Sequence, residues 1–351
     1  MCSSDLHFPR VSVVIPARNE EAILPETLPF ITGQEYPDHE VILVDDHSTD
    51  KTRETALSIR ENDPGKRLQI VQGKPLEEGW AGKLWALHQG LAHARGEWIL
   101  LTDADIFYPQ GLLKALVRRA RDEERDMVSL MAQLRTRTRW EKLLIPAFLY
   151  FFKLLYPFKA VQNPSRKVAA AAGGCILIKK KALDHIGGIA SIRNALIDDV
   201  SLAKAVKSSG FSISLLVCPD LVSQRGYDSL SGIWNMVIRS AFTELKYSYL
   251  RLVGCILSLS LTFVMPLVAI SAPLWMESPQ YSPWVLFTLG IITYLSIVYT
   301  YFHTIRYFAL SSFWAFFLPL CAVLYLLMTV DSARRYAFGT RSSWKGRSYA
   351  R

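Results

Sequence analysis

The order of apolar and polar positions divides the chain near residue 250. Upstream, short apolar runs alternate with longer amphipathic stretches. Downstream, Leu252–Met276, Trp284–Phe302 and Ala309–Val330 are nearly charge-free. In the first part, Val11–Ile15, Glu40–Val44, Leu68–Val71, Trp98–Leu101 and Met127–Leu130 predict strands. Glu20–Thr32, Asp50–Glu61, Gly82–Ala94 and Pro109–Glu124 predict helices between them, with Ser48, Thr49 or Asp50 as an N-cap. This alternation specifies an α/β fold, a mostly parallel sheet with helices on both faces. A second sheet portion is expected around Cys175–Ile178 and Ser212–Cys218, and Ser229–Tyr249 reads as one long helix.

The three downstream segments each approach the ~20 residues that cross ~30 Å of hydrocarbon. They are expected to be membrane segments, because buried core helices rarely come uncharged and consecutive. Arg139–Lys159 is too short to span and is flanked by Lys142, Lys153 and Lys159. It reads either as a helix lying in the membrane interface or as a packed core helix. The expected organisation is an α/β domain at 1–228 with 139–159 as its interfacial helix, a linker helix at 229–251, a membrane domain at 252–330 and a basic tail at 331–351.

Charge adds a conflict. Three crossings from a cytosolic domain place the tail outside, yet Arg334, Arg335, Arg341, Lys345, Arg347 and Arg351 lie there with no acidic residue after Asp331. The positive-inside rule assigns such a tail to the cytosol. One segment is therefore expected not to cross fully, with Pro266 and Pro273 marking the first and Pro319 the third. The net charge of +9 fits attraction to anionic headgroups. No basic stripe interleaved with aromatics points to nucleic acid. Five cysteines without C-x-x-C spacing argue against zinc or a disulfide framework and fit a reducing compartment. Met1–His7 holds no apolar stretch, so the α/β domain is expected to be cytosolic, on a multi-pass protein of the cell's inner membrane.

Candidate chemistry gathers where predicted strands stop. Trp98-Ile99-Leu100-Leu101-Thr102-Asp103-Ala104-Asp105 ends a buried strand in two hard oxygen donors, a chemistry suited to a divalent cation. Strands commonly end in solvated aspartates as well, so the motif is weak by itself. The first strand ends at Pro16-Ala17-Arg18-Asn19-Glu20-Glu21 and the second at Asp45-Asp46-His47-Ser48-Thr49-Asp50. Lys83, in Gly82-Lys83, reads alone as a solvated helix residue. Asp198-Asp199 opens a helix, either as a cap and first-turn acid or as a general base with its neighbour.

Taken together, these elements resemble family 2 glycosyltransferases of the GT-A fold. The resemblance implies that Pro16, Ala17, Asn19 and Glu21 line a nucleoside, with Asp46 recognising the base edge and Asp45 also among the donor-binding residues. It implies that Gly82 and Lys83 meet a diphosphate and that Asp103 and Asp105 hold Mg2+ or Mn2+. Asp199 becomes the base, with Asp198 in the place of the family's usual glutamate. Processive relatives carry Gln-x-x-Arg-Trp; this chain has Met236-Val237-Ile238-Arg239-Ser240, which keeps Arg239 for a diphosphate but lacks the tryptophan of polymer synthases. Gly82-Lys83-Leu84-Trp85-Ala86, Leu144-Ile145-Pro146-Ala147-Phe148, Leu155-Tyr156-Pro157-Phe158, Ala172-Gly173-Gly174-Cys175, Ala241-Phe242-Thr243 and Trp344-Lys345-Gly346-Arg347 are closest to the hopene-associated glycosyltransferases. Members of that group usually begin with a transmembrane helix, which this sequence lacks before its first strand.

The resemblance implies a membrane-anchored, metal-dependent, inverting transfer from a nucleotide sugar to a lipid hydroxyl, with a hopanoid-related acceptor. A polyprenyl phosphate acceptor is the nearest rival. A non-catalytic nucleotide-binding membrane scaffold is the alternative from another class.

Overall fold

In a computed structural model, the described residues are 8–276, 282–339, 343–344 and 347–348. Two compact units divide them: 8–135 with 156–226, grouped with the short strands Ser343–Trp344 and Arg347–Ser348, and 136–155 with the described part of 227–341. The amino-terminal stretch Met1–His7 and the tail residues Arg341, Lys345 and Arg351 lie outside the described residues.

The first unit alternates β1 (Val11–Ala17), α1 (Leu24–Thr32), β2 (His39–Asp45), α2 (Thr52–Glu61), β3 (Leu68–Gln72), α3 (Gly82–Leu91), β4 (Trp98–Thr102), β5 (Ile106–Phe107), α4 (Leu112–Asp122) and β6 (Met127–Gln133). After the excursion into the second unit come α6 (Phe158–Gln162), β7 (Cys175–Lys179), α7 (Lys180–His185), α8 (Asp198–Ser208) and β8 (Ile213–Ser223), the excursion itself carrying α5 (Arg139–Leu155). Sheet order is β3-β2-β1-β4-β7-β6-β8-β5. β1 to β4, β6 and β8 run one way; β7 and β5 pair antiparallel to their neighbours. The sheet is therefore mixed, with the parallel majority that the alternation predicts.

Period-two burial explains the layers. Val11, Val13 and Ile15 of β1 join Val41, Leu43, Trp98 and Leu100 in one core with α1, α2 and α4. The alternate face carries α3, whose Gly90 lies so close that a Cβ there meets Val14 Cγ1 at 2.5 Å and Val44 Cγ2 at 2.9 Å. Only a residue without a side chain lets the helix approach this far. The cap expected at Ser48, Thr49 or Asp50 is corrected: Lys51 stands at that position without a side-chain bond, and Asp50 instead accepts from the Thr52 N–H at 3.0 Å inside the first turn.

Two further expectations change. Of the stretch 139–159, residues 139–155 cluster with the second unit and only 156–159 with the α/β domain. Leu144 and Ala147 of α5 pack with Ile233, Tyr301, Cys321 and Tyr325 in the core of the second unit, because that helix is apolar enough to be buried by other apolar helices. Pro146 lies inside α5, and two carbonyls of the turn before it accept from neighbouring helices: Cys321 Sγ donates to Leu143 O at 3.1 Å and Tyr325 Oη to Leu144 O at 2.9 Å. Ser229–Tyr249 is not one helix. It breaks into Leu230–Ile238 and Ala241–Glu244, and Lys246 and Tyr247 take positive φ before Ser248 caps the next helix through the Arg251 N–H.

Among the described residues, three helices of the second unit are long and apolar enough to cross a membrane: Tyr249–Ile270, Pro283–Tyr307 and Ser312–Ala337. The first stays helical through Pro266 by widening into a π-helical turn at Ser260–Val264, which relieves the clash between a proline ring and the preceding turn. Gly290 of the second helix faces that same stretch, where a Cβ would meet Pro266 O at 2.8 Å and Ile270 N at 2.9 Å. Small residues permit this kind of close helix approach between apolar helices.

Candidate active site

β1 and β4 are neighbours whose successors lie on opposite sides, so the strand order reverses between them. Open α/β sheets bind ligands outside the carboxyl ends of strands at this reversal. The ladder between the two strands stops at Val14 and Leu101, while Pro16 and Ala17 continue to pair with Val44 and Asp45 of β2. A proline beyond the last β4 rung breaks no ladder bond there.

The loops after β1 and β2 are tied to each other. Asp46 N donates to Ala17 O at 2.8 Å, and Arg18 donates to the carbonyls of Asp46 and His47. Asn19 N donates to Ser48 Oγ at 3.0 Å, and Asn19 Oδ1 accepts from Thr49 N at 2.8 Å. Glu21 Oε2 accepts from Lys51 N at 2.7 Å, and Asp45 Oδ1 from Ser48 N at 3.1 Å. Asn19 and His47 both take φ of 53°, a left-handed geometry that such reciprocal bonding holds in place. Asp46 is fully buried. Thus Asn19, Glu21 and Asp45 each have a visible structural task in shaping the wall of the crevice.

A second group converges from four places in the chain. Lys83, in the first turn of α3, reaches Asp103 Oδ1 at 2.9 Å and Asp198 Oδ2 at 3.0 Å. Asp198 and Asp199 form the first turn of α8. Asp199 Oδ2 accepts from Gly173 N at 2.9 Å and its Oδ1 from Val200 N at 2.7 Å. Lys83, Asp103, Gly173, Asp198 and Asp199 line one recess of about 10 Å³, room for a single water rather than a sugar. Gly82 opens α3, with Ala81 as its cap.

Electrostatics follow from this crowding. Burial opposes the charge of Lys83, but the carboxylates of Asp103 and Asp198 outweigh it and hold the ammonium above its ordinary pKa. Burial raises the Asp103 carboxyl, and Lys83 offsets part of that. Asp199 is pushed up to about 7, first by burial and then by the charge of Asp198. A carboxylate with this value exchanges protons near neutrality, as a general base must.

The two aspartates flanking Ala104 do not share a partner. Asp103 faces Lys83, whereas Asp105 Oδ2 accepts from Ser223 Oγ at 2.9 Å and Arg225 Nε at 3.1 Å. Among the described residues, no three His, Cys, Asp or Glu side chains converge as a metal ligand set. Asp103 has the donor chemistry for a hard cation. Mg2+ is often held by one or two carboxylates plus substrate phosphates. Each of the two aspartates thus faces a cationic side chain, Asp103 the Lys83 ammonium at 2.9 Å and Asp105 the Arg225 guanidinium at 3.1 Å.

Arg239 belongs to the second unit, directly after the helix Leu230–Ile238. Sequence reading passed over Arg225 and Ser223. The available signal was Ser223-Gln224-Arg225-Gly226, a polar step at a strand end like those after β1, β2 and β4.

Comparison with known proteins adds relatives to this geometry. The family model for glycosyl transferase family 2 matches residues 12–187. A β-monoglucosyldiacylglycerol synthase from Synechocystis sp. is 24% identical over 242 residues, covering 66% of this chain and 47% of that protein. An undecaprenyl-phosphate 4-deoxy-4-formamido-L-arabinose transferase from Enterobacter sp. is 35% identical over 139 residues, 38% of this chain and 40% of that protein. The chain thus spans about half the length, or less, of these curated relatives. A solved mannosyltransferase from Pyrobaculum calidifontis, in complex with GDP-Man and Mn2+, has the same fold, with a TM-score of 0.53 at 20% identity over 94% of this chain and 88% of that one.

Proposed function

From the premise that this chain belongs to glycosyl transferase family 2, we propose that it transfers a sugar from a nucleotide-sugar donor to a lipid acceptor at a membrane surface. The observation that carries this reading is the meeting of Lys83, Asp103, Asp198 and Asp199 in one recess beside the strand-order reversal. The three apolar helices supply the anchoring surface. The Synechocystis relative, a synthase of β-monoglucosyldiacylglycerol, and the Enterobacter relative, an undecaprenyl-phosphate 4-deoxy-4-formamido-L-arabinose transferase, support a lipid acceptor.

In this reading the loops bearing Pro16, Ala17, Asn19, Glu21, Asp45 and Asp46 receive the nucleoside. Lys83 meets the diphosphate, exchanging one of its carboxylate partners for phosphate as the donor enters. Asp103 and Asp105 would hold a Mg2+ or Mn2+ ion, which supplies positive charge to the leaving diphosphate. Asp199 takes the proton of an acceptor hydroxyl; the Gly173 and Val200 N–H groups hold both its oxygens in place. Asp198 keeps that carboxylate basic by like-charge repulsion. One base and no second carboxylate nucleophile favour a single displacement with inversion. Arg239 is proposed to contact the diphosphate.

The acceptor proposed is a hopanoid-related alcohol, on the motif resemblance described above. The Enterobacter relative favours a second reading, a polyprenyl phosphate acceptor, whose oxygen is already ionised and needs no base. Lipid mass spectrometry of cells with and without the gene identifies the acceptor and sugar. Transfer assays with Asp199→Asn on both acceptor classes separate the readings: loss of activity with an alcohol supports the first, and full retention removes it. A chain that turns over no nucleotide sugar in nanodiscs with Mg2+ or Mn2+ is instead a non-catalytic scaffold.

A further inference from the structure

The start of the first apolar helix and the end of the third meet in one place. Phe242 and Leu252, on either side of the start of Tyr249–Ile270, share a core with Ala333 near the end of Ser312–Ala337. The Phe242 N–H donates to Ser332 Oγ at 3.1 Å, and that hydroxyl donates to Ile238 O at 2.6 Å. Tyr336 stacks on Tyr247 with ring centroids 4.6 Å apart, and Trp234 Nε1 donates to Asp331 Oδ2 at 2.9 Å. Deeper in, the ring of Phe151 lies 5.8 Å from that of Phe263 and 5.3 Å from that of Tyr325. The first and third helices therefore run antiparallel, with Leu252 level with Ala333 and Phe263 level with Tyr325.

Three successive crossings would carry the end of the third helix to the side opposite the start of the first. The stretch between the second and third helices removes the conflict. After Tyr307 the chain turns at Ala309, which takes φ of 53°, and Ser312–Phe317 packs back along the second helix as a 3₁₀ turn. Tyr294, near the middle of Pro283–Tyr307, donates its hydroxyl to Phe316 O at 2.9 Å. A carbonyl outside an α-helix is tolerated at membrane depth when protein satisfies it, and Ala315 and Leu318 are fully buried here. Pro319 stands in the first turn of the helix that follows, where its missing N–H costs nothing.

We propose that the third apolar segment does not cross the membrane but dips in and leaves through the leaflet where the first helix starts, so that Lys246, Arg251, Arg334 and Arg335 share one headgroup layer with Tyr247 and Tyr336. Charge supports this placement. The connector Ser271–Ser282, on the other side, holds no Lys or Arg, and basic residues with interfacial tyrosines mark the cytosolic face of a membrane protein. The segment that fails to span is thus the one marked by Pro319, whereas the first continues through Pro266 by its π-helical turn.

This topology rests on the membrane reading of the helices, and labelling from the two sides tells the failure of one from the failure of the other. Ser231→Cys, Ser282→Cys and Phe338→Cys, all at exposed positions, are made singly in the full chain. Sealed membrane vesicles of each orientation are treated with an impermeant maleimide, and peptide mass spectrometry locates the label among the native cysteines. The expected result is that Ser231→Cys and Phe338→Cys react in the same orientation and Ser282→Cys only in the opposite one. Phe338→Cys reacting opposite to Ser231→Cys overturns the proposal. Ser282→Cys reacting together with Ser231→Cys shows that the first helix does not cross, and overturns the membrane reading as well. For the dip itself, a nitroxide is placed at Phe313→Cys, a position 62% exposed beside the second helix. Its collisions with dissolved oxygen are expected to exceed those with a water-soluble nickel chelate, as in hydrocarbon; the reverse order overturns re-entry.

Discussion

The protonation of Asp199 gives the sharpest test of the chemistry. Burial and the neighbouring Asp198 move its pKa from the ordinary 3.8 to about 7. With that midpoint, roughly one tenth of the molecules carry the ionised base at pH 6 and roughly nine tenths at pH 8. Transfer to an alcohol acceptor under donor-saturating conditions is therefore expected to rise about tenfold across that interval on its acidic limb. Asp198→Asn removes the like charge and is expected to move the midpoint to lower pH. Asp199→Asn removes the base and leaves an amide N–H opposed to the N–H of Gly173 or Val200; the expected rate loss is ~10²- to 10⁴-fold. The assay is radiolabelled or mass-resolved product formation in nanodiscs between about pH 5.5 and 8.5. A flat profile there, or an Asp198→Asn midpoint that moves upward, refutes the assignment. The same shift has a stability consequence. Asp199 holds its proton more tightly folded than unfolded, so its contribution favours the folded state at low pH and is lost as pH rises from the unfolded value toward about 7.

Other consequences follow from packing and charge. Lys83→Met leaves Asp103 and Asp198 without their shared cation and is expected to weaken nucleoside diphosphate binding by about tenfold or more, read by calorimetry with GDP and UDP. Gly90→Ala forces a methyl against Val14 and Val44 and is expected to cost ~1–3 kcal/mol, seen as a lower thermal midpoint for the first unit. Gly290→Ala meets backbone atoms of Pro266 and Ile270, and is expected to lower the detergent-denaturation midpoint of the full chain; an unchanged midpoint contradicts the close approach.

Much of the α/β unit was legible because its code is local. Each expected strand from Val11–Ile15 to Met127–Leu130 falls inside an observed one, since short, mostly apolar runs bounded by turns leave little choice of element. The three apolar helices were equally plain from length and lack of charge. The candidate residues Asp103, Asp198 and Asp199 stood out by type and by their position at the ends of elements, and Lys83 only through the family resemblance. What could not be read was mutual placement. Nothing in the run Trp98–Asp105 says that Asp103 turns to Lys83 while Asp105 turns to Arg225, 120 residues away. The antiparallel β7, the burial of Leu144 and Ala147 among the apolar helices, and the break at Lys246 and Tyr247 have the same origin. Hydrophobic period and turn chemistry act between near neighbours and are written in order along the chain. The pairing of charges and the sharing of a core depend on which distant segments arrive together, and only the folded arrangement decides that.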